Sequence, residues 1–379
     1  MNMNWTFNLP VRLEFGNGKR KDLKKYIDSI GGTKGVLVCD GIFAANGVAD
    51  EFLKMSEGTL AAVFSEIRPN PTTDNVNACV AVMREVGADF AVALGGGSSM
   101  DCCKAASAIA KGESNIEPYH LGEKAIDAAE AIPMIALATT SGTASEITNI
   151  AVLSNTHINL KKPMNDFSMY AKIAIIDPEL TLSVPPQVTA STGLDVLAHA
   201  VEGYWALDNQ PVCSACALHA AKMVFEWLEK AYHNPSDLEA REKMSEACIV
   251  AGVAFSHPRT TVCHAASFPL TNLYHVPHGE ACAFTLDYMV RYNAAHADPD
   301  GRILALAKYC GFDSTDAMAD EIMAMKKRMK MRTALSEIGC TTDEQIREIA
   351  KVSCSAALIK NNPAPLDEDI VFDMFKALA

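Results

Sequence analysis

Asp195, His199, His264 and His278 are the side chains of this sequence whose types and surroundings point most directly to chemistry. Asp195 and His199 stand four residues apart in Thr192-Gly193-Leu194-Asp195-Val196-Leu197-Ala198-His199-Ala200, a stretch that reads as helix. Positions i and i+4 share one helix face about a turn apart, which is how a helix offers two ligands to one ion. His264 and His278 lie in Val262-Cys263-His264-Ala265-Ala266 and Val276-Pro277-His278-Gly279-Glu280, largely uncharged surroundings with few other partners for an imidazole. One carboxylate and three imidazoles suit a divalent ion of intermediate softness, Fe2+ or Zn2+ first, with Mn2+ as a further option. The ordinary alternative for any one histidine is a hydrogen-bonded core residue, so the spacing alone leaves the ligand reading open.

A second group of residues suits phosphate binding. Ala93-Leu94-Gly95-Gly96-Gly97-Ser98-Ser99-Met100-Asp101 follows a strand pattern and opens a helix pattern. Glycines allow close backbone approach, and a helix N-terminus presents free N–H groups to an anion. Met100 occupies the third glycine position of the usual dinucleotide fingerprint, and the acidic Asp40 precedes the glycines, so an ordinary Rossmann order is not expected. Thr139-Thr140-Ser141-Gly142-Thr143-Ala144-Ser145-Glu146 also follows a strand and is expected to open a helix, and Asn70-Pro71-Thr72 lies beyond a third strand. Loops of this kind at strand C-terminal ends would together hold a dinucleotide.

Positioning these loops requires a sheet. Candidate strands are Gly35–Cys39, Leu60–Phe64, Phe90–Leu94, Met134–Ala138 and Ile173–Ile176. Asp74 is expected to cap a helix whose apolar positions Val76, Val80, Met83 and Val86 recur at helical spacing. Strands alternating with helices predict a largely parallel sheet. Beyond Pro185-Pro186 the pattern changes to long amphipathic segments at 211–232, 236–254, 302–309 and 342–360. The expected fold is α/β plus all-α: a Rossmann-like parallel-sheet, dinucleotide-binding domain over 1–183, then a helical metal-binding and catalytic domain over 184–379.

Composition narrows the function. At 379 residues, with 49% hydrophobic and 21% charged residues, the chain has room for two substantial cores. A formal charge of -13 repels phosphate backbones, so no nucleic-acid partner is expected. Lys326-Lys327-Arg328-Met329-Lys330 with Arg332 reads as the solvated face of a late helix. No apolar run reaches the ~20 residues that span a bilayer, so no membrane partner is expected. Met1-Asn2-Met3-Asn4-Trp5 lacks the basic and apolar regions of a secretory leader, and the twelve cysteines lie scattered in apolar stretches. A reducing cytoplasm and structural thiols follow.

These motifs resemble those of the iron-containing (group III) alcohol dehydrogenases, from Pro10-Val11-Arg12-Leu13-Glu14-Phe15-Gly16 to Asn362-Pro363-Ala364-Pro365-Leu366. The most specific parts are Gly95-Gly96-Gly97-Ser98 with Asp101, Ser141-Gly142-Thr143-Ala144-Ser145-Glu146, Gly193-Leu194-Asp195 through His199-Ala200-Val201-Glu202, and Pro277-His278-Gly279. The resemblance implies that Asp195, His199, His264 and His278 are the metal and catalytic ligands. It implies that Gly96, Gly97, Ser98 and Asp101, with Thr139, Thr140, Thr143 and Ser145, hold NAD(P). It further implies that Asp40 contacts the adenosine ribose, where a carboxylate repels the extra phosphate of NADP, so NAD is expected. Asn70, Thr72 and a lysine at Lys161 or Lys162 fall where the family contacts cofactor, and a homodimer or larger homo-oligomer is expected by analogy.

Two departures from the family pattern bear on chemistry. Members typically carry a second histidine one turn after the ligand that matches His264; here that position is Phe268. A proton relay through it is impossible, and His275 is favoured over His257 as a substitute. The second departure is Ser256-His257-Pro258-Arg259-Thr260-Thr261, followed by Ser267-Phe268-Pro269-Leu270-Thr271, which resembles the branch that includes phosphonoacetaldehyde reductases. Arg259 and the adjacent hydroxyls are expected to grip an oxyanion, the alternative being that Arg259 caps a helix or pairs with a surface carboxylate, and Ser267 and Phe268 are also expected to face substrate. The expected activity is an NAD-dependent, Fe-dependent reductase interconverting a short anionic aldehyde, phosphonoacetaldehyde or sulfoacetaldehyde, with its primary alcohol. The rivals are a plain aliphatic alcohol or diol dehydrogenase, a zinc-dependent enzyme of the glycerol dehydrogenase or dehydroquinate synthase kind, and a non-enzymatic nucleotide-binding protein.

Overall fold

The computed structural model describes residues 4–158 and 160–379 and divides into two compact units. One comprises Leu9–Thr140 with Ala144–Thr181; the other comprises Leu182–Ala379 with Ser141–Thr143 and the segment ending at Asn8. The cut falls two residues from the expected boundary, and two short segments count with the helical unit.

The first unit is built on six parallel strands: β1 (Arg12–Phe15), β2 (Gly35–Cys39), β3 (Leu60–Phe64), β4 (Phe90–Gly95), β5 (Met134–Ala138) and β8 (Ile173–Ile176), in the order β1-β8-β5-β4-β2-β3. A separate antiparallel hairpin joins β6 (Ile150–Asn155) to β7 (Leu160–Asn165). Every residue of β2, β4, β5 and β8 is buried, which is why these strands read as unbroken apolar runs. Leu37, Phe52, Phe90, Val92, Leu94, Ile135, Leu137 and Ile175 belong to the core that packs on the sheet. β1 and the β6–β7 hairpin had no counterpart among the expected strands. Between β3 and β4 runs α1 (Thr73–Val86), and between β4 and β5 runs α2 (Gly97–Ala108). Thr72, not Asp74, caps α1: its hydroxyl accepts from the Asn75 N–H and the Asn75 side chain returns a bond to the Thr72 N–H.

The second unit is helical. Its central elements are α3 (Pro186–Trp205), α4 (Pro211–His233), α5 (Leu238–Phe255), α6 (Val262–Tyr274) and α7 (His278–Phe284). From Thr189 to Trp205 every residue of α3 except Thr192 is buried. A helix apolar on nearly all sides lies in a core, so its carboxylates and imidazole, those of Asp195, Glu202 and His199, are held away from water. The basic cluster expected on a solvated face is only partly there: Lys326 is buried, donates to the Ala283 and Phe284 carbonyls at 3.1 and 3.2 Å, and pairs with Asp287. Those bonds stabilise its charge inside the unit. Among the described residues no helix is long and apolar enough to cross a membrane, and all twelve cysteines are free thiols.

Candidate functional site

In the sheet unit, strand register collects the residues expected to meet a cofactor. Cys39 lies beside Leu94 and Gly95 beside Ala138, so Asp40, Gly96 and Thr139 leave neighbouring strands at the same C-terminal edge. Gly96 is the N-cap of α2 and supplies no side-chain cap, which leaves the first N–H groups of that helix, Gly97 and Ser98 among them, for an anion. Gly95 has φ +152°, and a Cβ there would lie 2.5 Å from Ser99 Oγ and 2.9 Å from Asp40 Oδ2. The close approach lets Ser99 donate to Asp40 Oδ1 at 2.6 Å. Across the same edge Lys161 Nζ donates to Asn70 Oδ1 at 3.0 Å, and the Asn70 N–H donates to Ser98 Oγ at 3.3 Å. Lys162 turns instead to the Leu121 carbonyl, which separates the two lysines that sequence left open.

The second loop differs from expectation. No helix follows Thr143; Ser145–Ile147 is a single 3-10 turn after Ala144, whose φ is +49°. Ser145 donates to Asp101 Oδ1 at 2.8 Å, and the Val152 N–H donates to Asp101 Oδ2 at 2.9 Å. Both residues expected to contact the cofactor thus bond to one another and tie α2 to β6. Thr72 likewise spends its hydroxyl on capping, while the Thr139 N–H donates to the Gly95 carbonyl at 3.0 Å, and Thr140 follows it, half-buried. Thr143 falls in the short segment that counts with the helical unit.

Lys104 was missed by sequence reasoning, although a lysine between Cys102-Cys103 and Ala105-Ala106 was a signal. Its buried ammonium donates to Ser145 Oγ at 2.6 Å, Thr148 Oγ1 at 3.0 Å and the Ile150 carbonyl at 2.9 Å. Burial pushes it down to about 8, against the opposing pull of Asp101 and Glu146. Burial pushes the Glu146 carboxyl up to about 7, with Lys104 opposing.

In the helical unit the four expected ligands lie close together: Asp195, His264 and His278 each place a donor atom within 4.8 Å of the others, and His199 adjoins Asp195 and His264. Asp195 and His199 project from α3, His264 from α6, and His278 is the first residue of α7. Gly279 allows this: a Cβ there would lie 2.1 Å from the Ser191 carbonyl oxygen and 2.8 Å from Asp195 Cβ. Asp195 Oδ1 lies 3.5 Å from His264 Nε2 and 3.8 Å from His199 Nδ1, and the two Nε2 atoms of His199 and His264 are 2.9 Å apart. The His199 ring stacks on Phe255 with centroids 4.1 Å apart. Asp195, His199 and His264 are each at most 5% exposed.

This cluster leaves a cation-shaped demand. Asp195 Oδ1 and His199 Nδ1 are buried without a hydrogen-bond partner, an expensive state for polar atoms. Burial opposes ionisation of Asp195, yet His199, His278 and His264 hold its carboxyl well below the usual range. Burial pushes His199 down to about 4, so its imidazole is neutral and able to ligate at pH 7. Burial also disfavours charge on His264 and His278, but neighbours that include Cys282 and Asp195 raise both. A divalent ion would replace those protons and satisfy the orphaned oxygen. The donor set therefore fits a metal.

Glu202 is the second residue that sequence reasoning passed over. It lies one turn beyond His199 on α3, is wholly buried, and accepts from His264 Nδ1, from Thr261 Oγ1 at 2.6 Å and from the Cys263 N–H at 2.6 Å. Burial would raise its carboxyl, but His264 and these bonds keep it low and ionised. A carboxylate on Nδ1 fixes which imidazole nitrogen faces an ion. Trp205 Nε1 donates to Thr261 Oγ1 at 2.8 Å, so the Thr261 hydroxyl is already engaged and does not serve as a substrate hydroxyl.

Other expected residues are placed differently. Ser267 is wholly buried, donates to the His264 carbonyl at 2.7 Å and lies 3.5 Å from His278 Nδ1, so it packs behind the ligands instead of facing substrate. His275 is exposed and closes α6 in a left-handed conformation, φ 56°, which does not suit a relay at a buried cluster. His257 is held by the Asn8 N–H on Nε2 at 3.0 Å, by Ser256 Oγ on Nδ1 at 2.9 Å and by stacking on Phe7. Phe268, half-buried, stands one turn after His264. Arg259 is half-buried with φ +68°, and its loop is clamped by Asn361, which donates to the Pro258 and Thr260 carbonyls at 2.6 and 3.3 Å.

Comparisons with known proteins show what the chain as a whole is similar to. Residues 10–178 match the family described as iron-containing alcohol dehydrogenase, and residues 189–379 match the Fe-containing alcohol dehydrogenase family, C-terminal. The 1-propanol dehydrogenase PduQ of Salmonella typhimurium is 32% identical over 386 residues, covering 98% of this chain and 99% of that protein. A sulfoacetaldehyde reductase of Bilophila wadsworthia is 29% identical, covering 97% of each. The crystal structure of sulfoacetaldehyde reductase from Bifidobacterium kashiwanohense in complex with NAD+ matches with a TM-score of 0.96 and 42% identity, covering 100% of this chain and 99% of that one. With both units matched end to end and the expected metal donors gathered in one buried cluster, the chain belongs to the iron-containing alcohol dehydrogenase family.

Proposed function

We propose that this enzyme reduces a short anionic aldehyde, of the sulfoacetaldehyde or phosphonoacetaldehyde class, to its primary alcohol at the expense of NADH. Membership of the family makes it an alcohol and aldehyde oxidoreductase that works with NAD and a divalent metal. The observation that carries the finer reading is the 42% identity, over the whole chain, to a sulfoacetaldehyde reductase. Arg259 supports it, since a guanidinium on a clamped loop five residues before His264 suits a tetrahedral oxyanion. The expected homodimer and cytoplasmic location belong to the same proposal.

Asp195, His199, His264 and His278 would hold the metal. When bound, the metal supplies a Lewis acid for the carbonyl oxygen and the reduced nicotinamide supplies the hydride. Glu202 keeps the proton of His264 on Nδ1, leaving the Nε2 lone pair for coordination. The uncapped start of α2, with Asn70, Ser98 and Lys161, would take the phosphates. Asp40 would meet the adenosine ribose and disfavour NADP. Phe268 has no titratable atom, so it does not supply the proton that the alcohol oxygen takes up.

Replacing Arg259 with alanine tests the substrate class. Loss of a charged hydrogen bond should raise KM for sulfoacetaldehyde about 10- to 100-fold and leave KM for acetaldehyde unchanged. An equal change for both substrates would remove Arg259 as the anion clamp. The 32% identity to a 1-propanol dehydrogenase favours the alternative of a neutral substrate, which the same comparison detects as a preference for the uncharged aldehyde.

A further inference from the structure

We propose that Cys282 is an additional donor to the metal centre, so that the ion is bound by a thiolate as well as by carboxylate and imidazoles. The inference rests on the metal-site reading above. Cys282 stands one turn after His278 on α7, on the same helix face, and is wholly buried. Its Sγ lies 3.7 Å from His278 Nε2 and 3.9 Å from Nδ1. One ligand atom from each of Asp195, His264, His278 and Cys282 lies within 4.8 Å of all the others, and no other such group occurs among the described residues. Donors about 2.0–2.3 Å from a single ion sit at roughly these mutual separations.

A second observation points to a ligand independently of the cysteine. Asp195 Oδ1 is buried without a hydrogen-bond partner, and a carboxylate oxygen of Asp195 belongs to the same donor group as the sulfur, so a cation is needed there. Coordination as thiolate releases the thiol proton to solvent and leaves no uncompensated charge, because the ion neutralises both the thiolate and Asp195. Sulfur is the softest donor in the set, so the site would favour Zn2+ or Co2+ over Fe2+ more than carboxylate and imidazole donors alone would.

Cobalt substitution tests this through a spectrum, not through turnover. The full-length protein loaded with Co2+ should show the d–d bands of bound cobalt together with a near-ultraviolet sulfur-to-cobalt charge-transfer band. In Cys282→Ser the d–d bands should remain while the charge-transfer band disappears, with Zn2+ affinity lowered on the order of 10- to 100-fold. Wild-type protein with d–d bands and no charge-transfer band would overturn the thiolate ligand while leaving the metal centre standing. Absence of any cobalt spectrum in wild-type protein would overturn the metal centre and the thiolate together. The overturning results are read on wild-type protein and so do not depend on the variant folding; the variant assigns the band to Cys282 among the free thiols.

Discussion

The two polar regions of this molecule are built on opposite principles. At the C-terminal edge of the sheet, the side chains satisfy one another: Asp101, Ser145 and Lys104 interlock, Ser99 bonds Asp40, and Thr72 caps α1. What remains for a ligand there is mostly backbone, the uncapped first turn of α2. In the helical unit the side chains converge and stay unsatisfied, with Asp195 Oδ1 and His199 Nδ1 buried and unpartnered. One region leaves the N–H groups of a helix start open and is otherwise internally satisfied; the other stores an electrostatic demand that a metal would meet. Substitutions should therefore separate the two regions cleanly.

The largest effect should come from Asp195→Asn or His264→Ala. Removing a ligand forfeits several kcal/mol of charge stabilisation, about a 10^3-fold fall in kcat/KM, with bound metal lost by elemental analysis and NAD+ affinity unchanged. A matching loss of NAD+ binding would break the separation. Next is Glu146, whose folded carboxyl lies at about 7, above an ordinary value of 4.5. Because the folded state holds that proton more tightly, its contribution is fully present below about pH 4.5 and is lost as pH rises through 7. Glu146→Gln should flatten a decline of about 3 kcal/mol across that window, read by denaturant unfolding at several pH values; an unchanged slope would show that the buried network does not titrate as described.

Glu202→Gln should weaken metal binding about 10- to 100-fold while leaving cofactor titrations as they were. Smallest is Asp40→Ser, which should raise the use of NADPH relative to NADH by about tenfold by removing a like charge. No shift in that ratio would place the ribose elsewhere.

Sequence made the two regions legible to different depths. The buried strands β2, β4, β5 and β8 announce themselves as apolar runs because both faces are covered. β1 and β7 did not, since Arg12-Leu13-Glu14-Phe15 and Leu160-Lys161-Lys162-Pro163 keep much of their length outside the core. Ligand candidates were visible as residue types at helical spacing, yet spacing says nothing of partners. The capture of Thr261 by Glu202, of Ser145 by Asp101 and of His257 by Asn8 depends on residues 59, 44 and 249 positions apart. Cys282 stayed hidden for a related reason: a cysteine in an apolar helix looks like a small core residue until the fold sets it beside His278.

The most direct test is kcat/KM for NADH oxidation with sulfoacetaldehyde and with propionaldehyde, measured on anaerobically purified protein before and after chelation and again after adding back Fe2+ or Zn2+. The proposed enzyme prefers sulfoacetaldehyde by about tenfold or more, about the worth of one charged hydrogen bond, loses both activities to chelator and recovers them with metal. Faster turnover of propionaldehyde would contradict the anionic substrate, and full activity in the presence of chelator would contradict the metal centre.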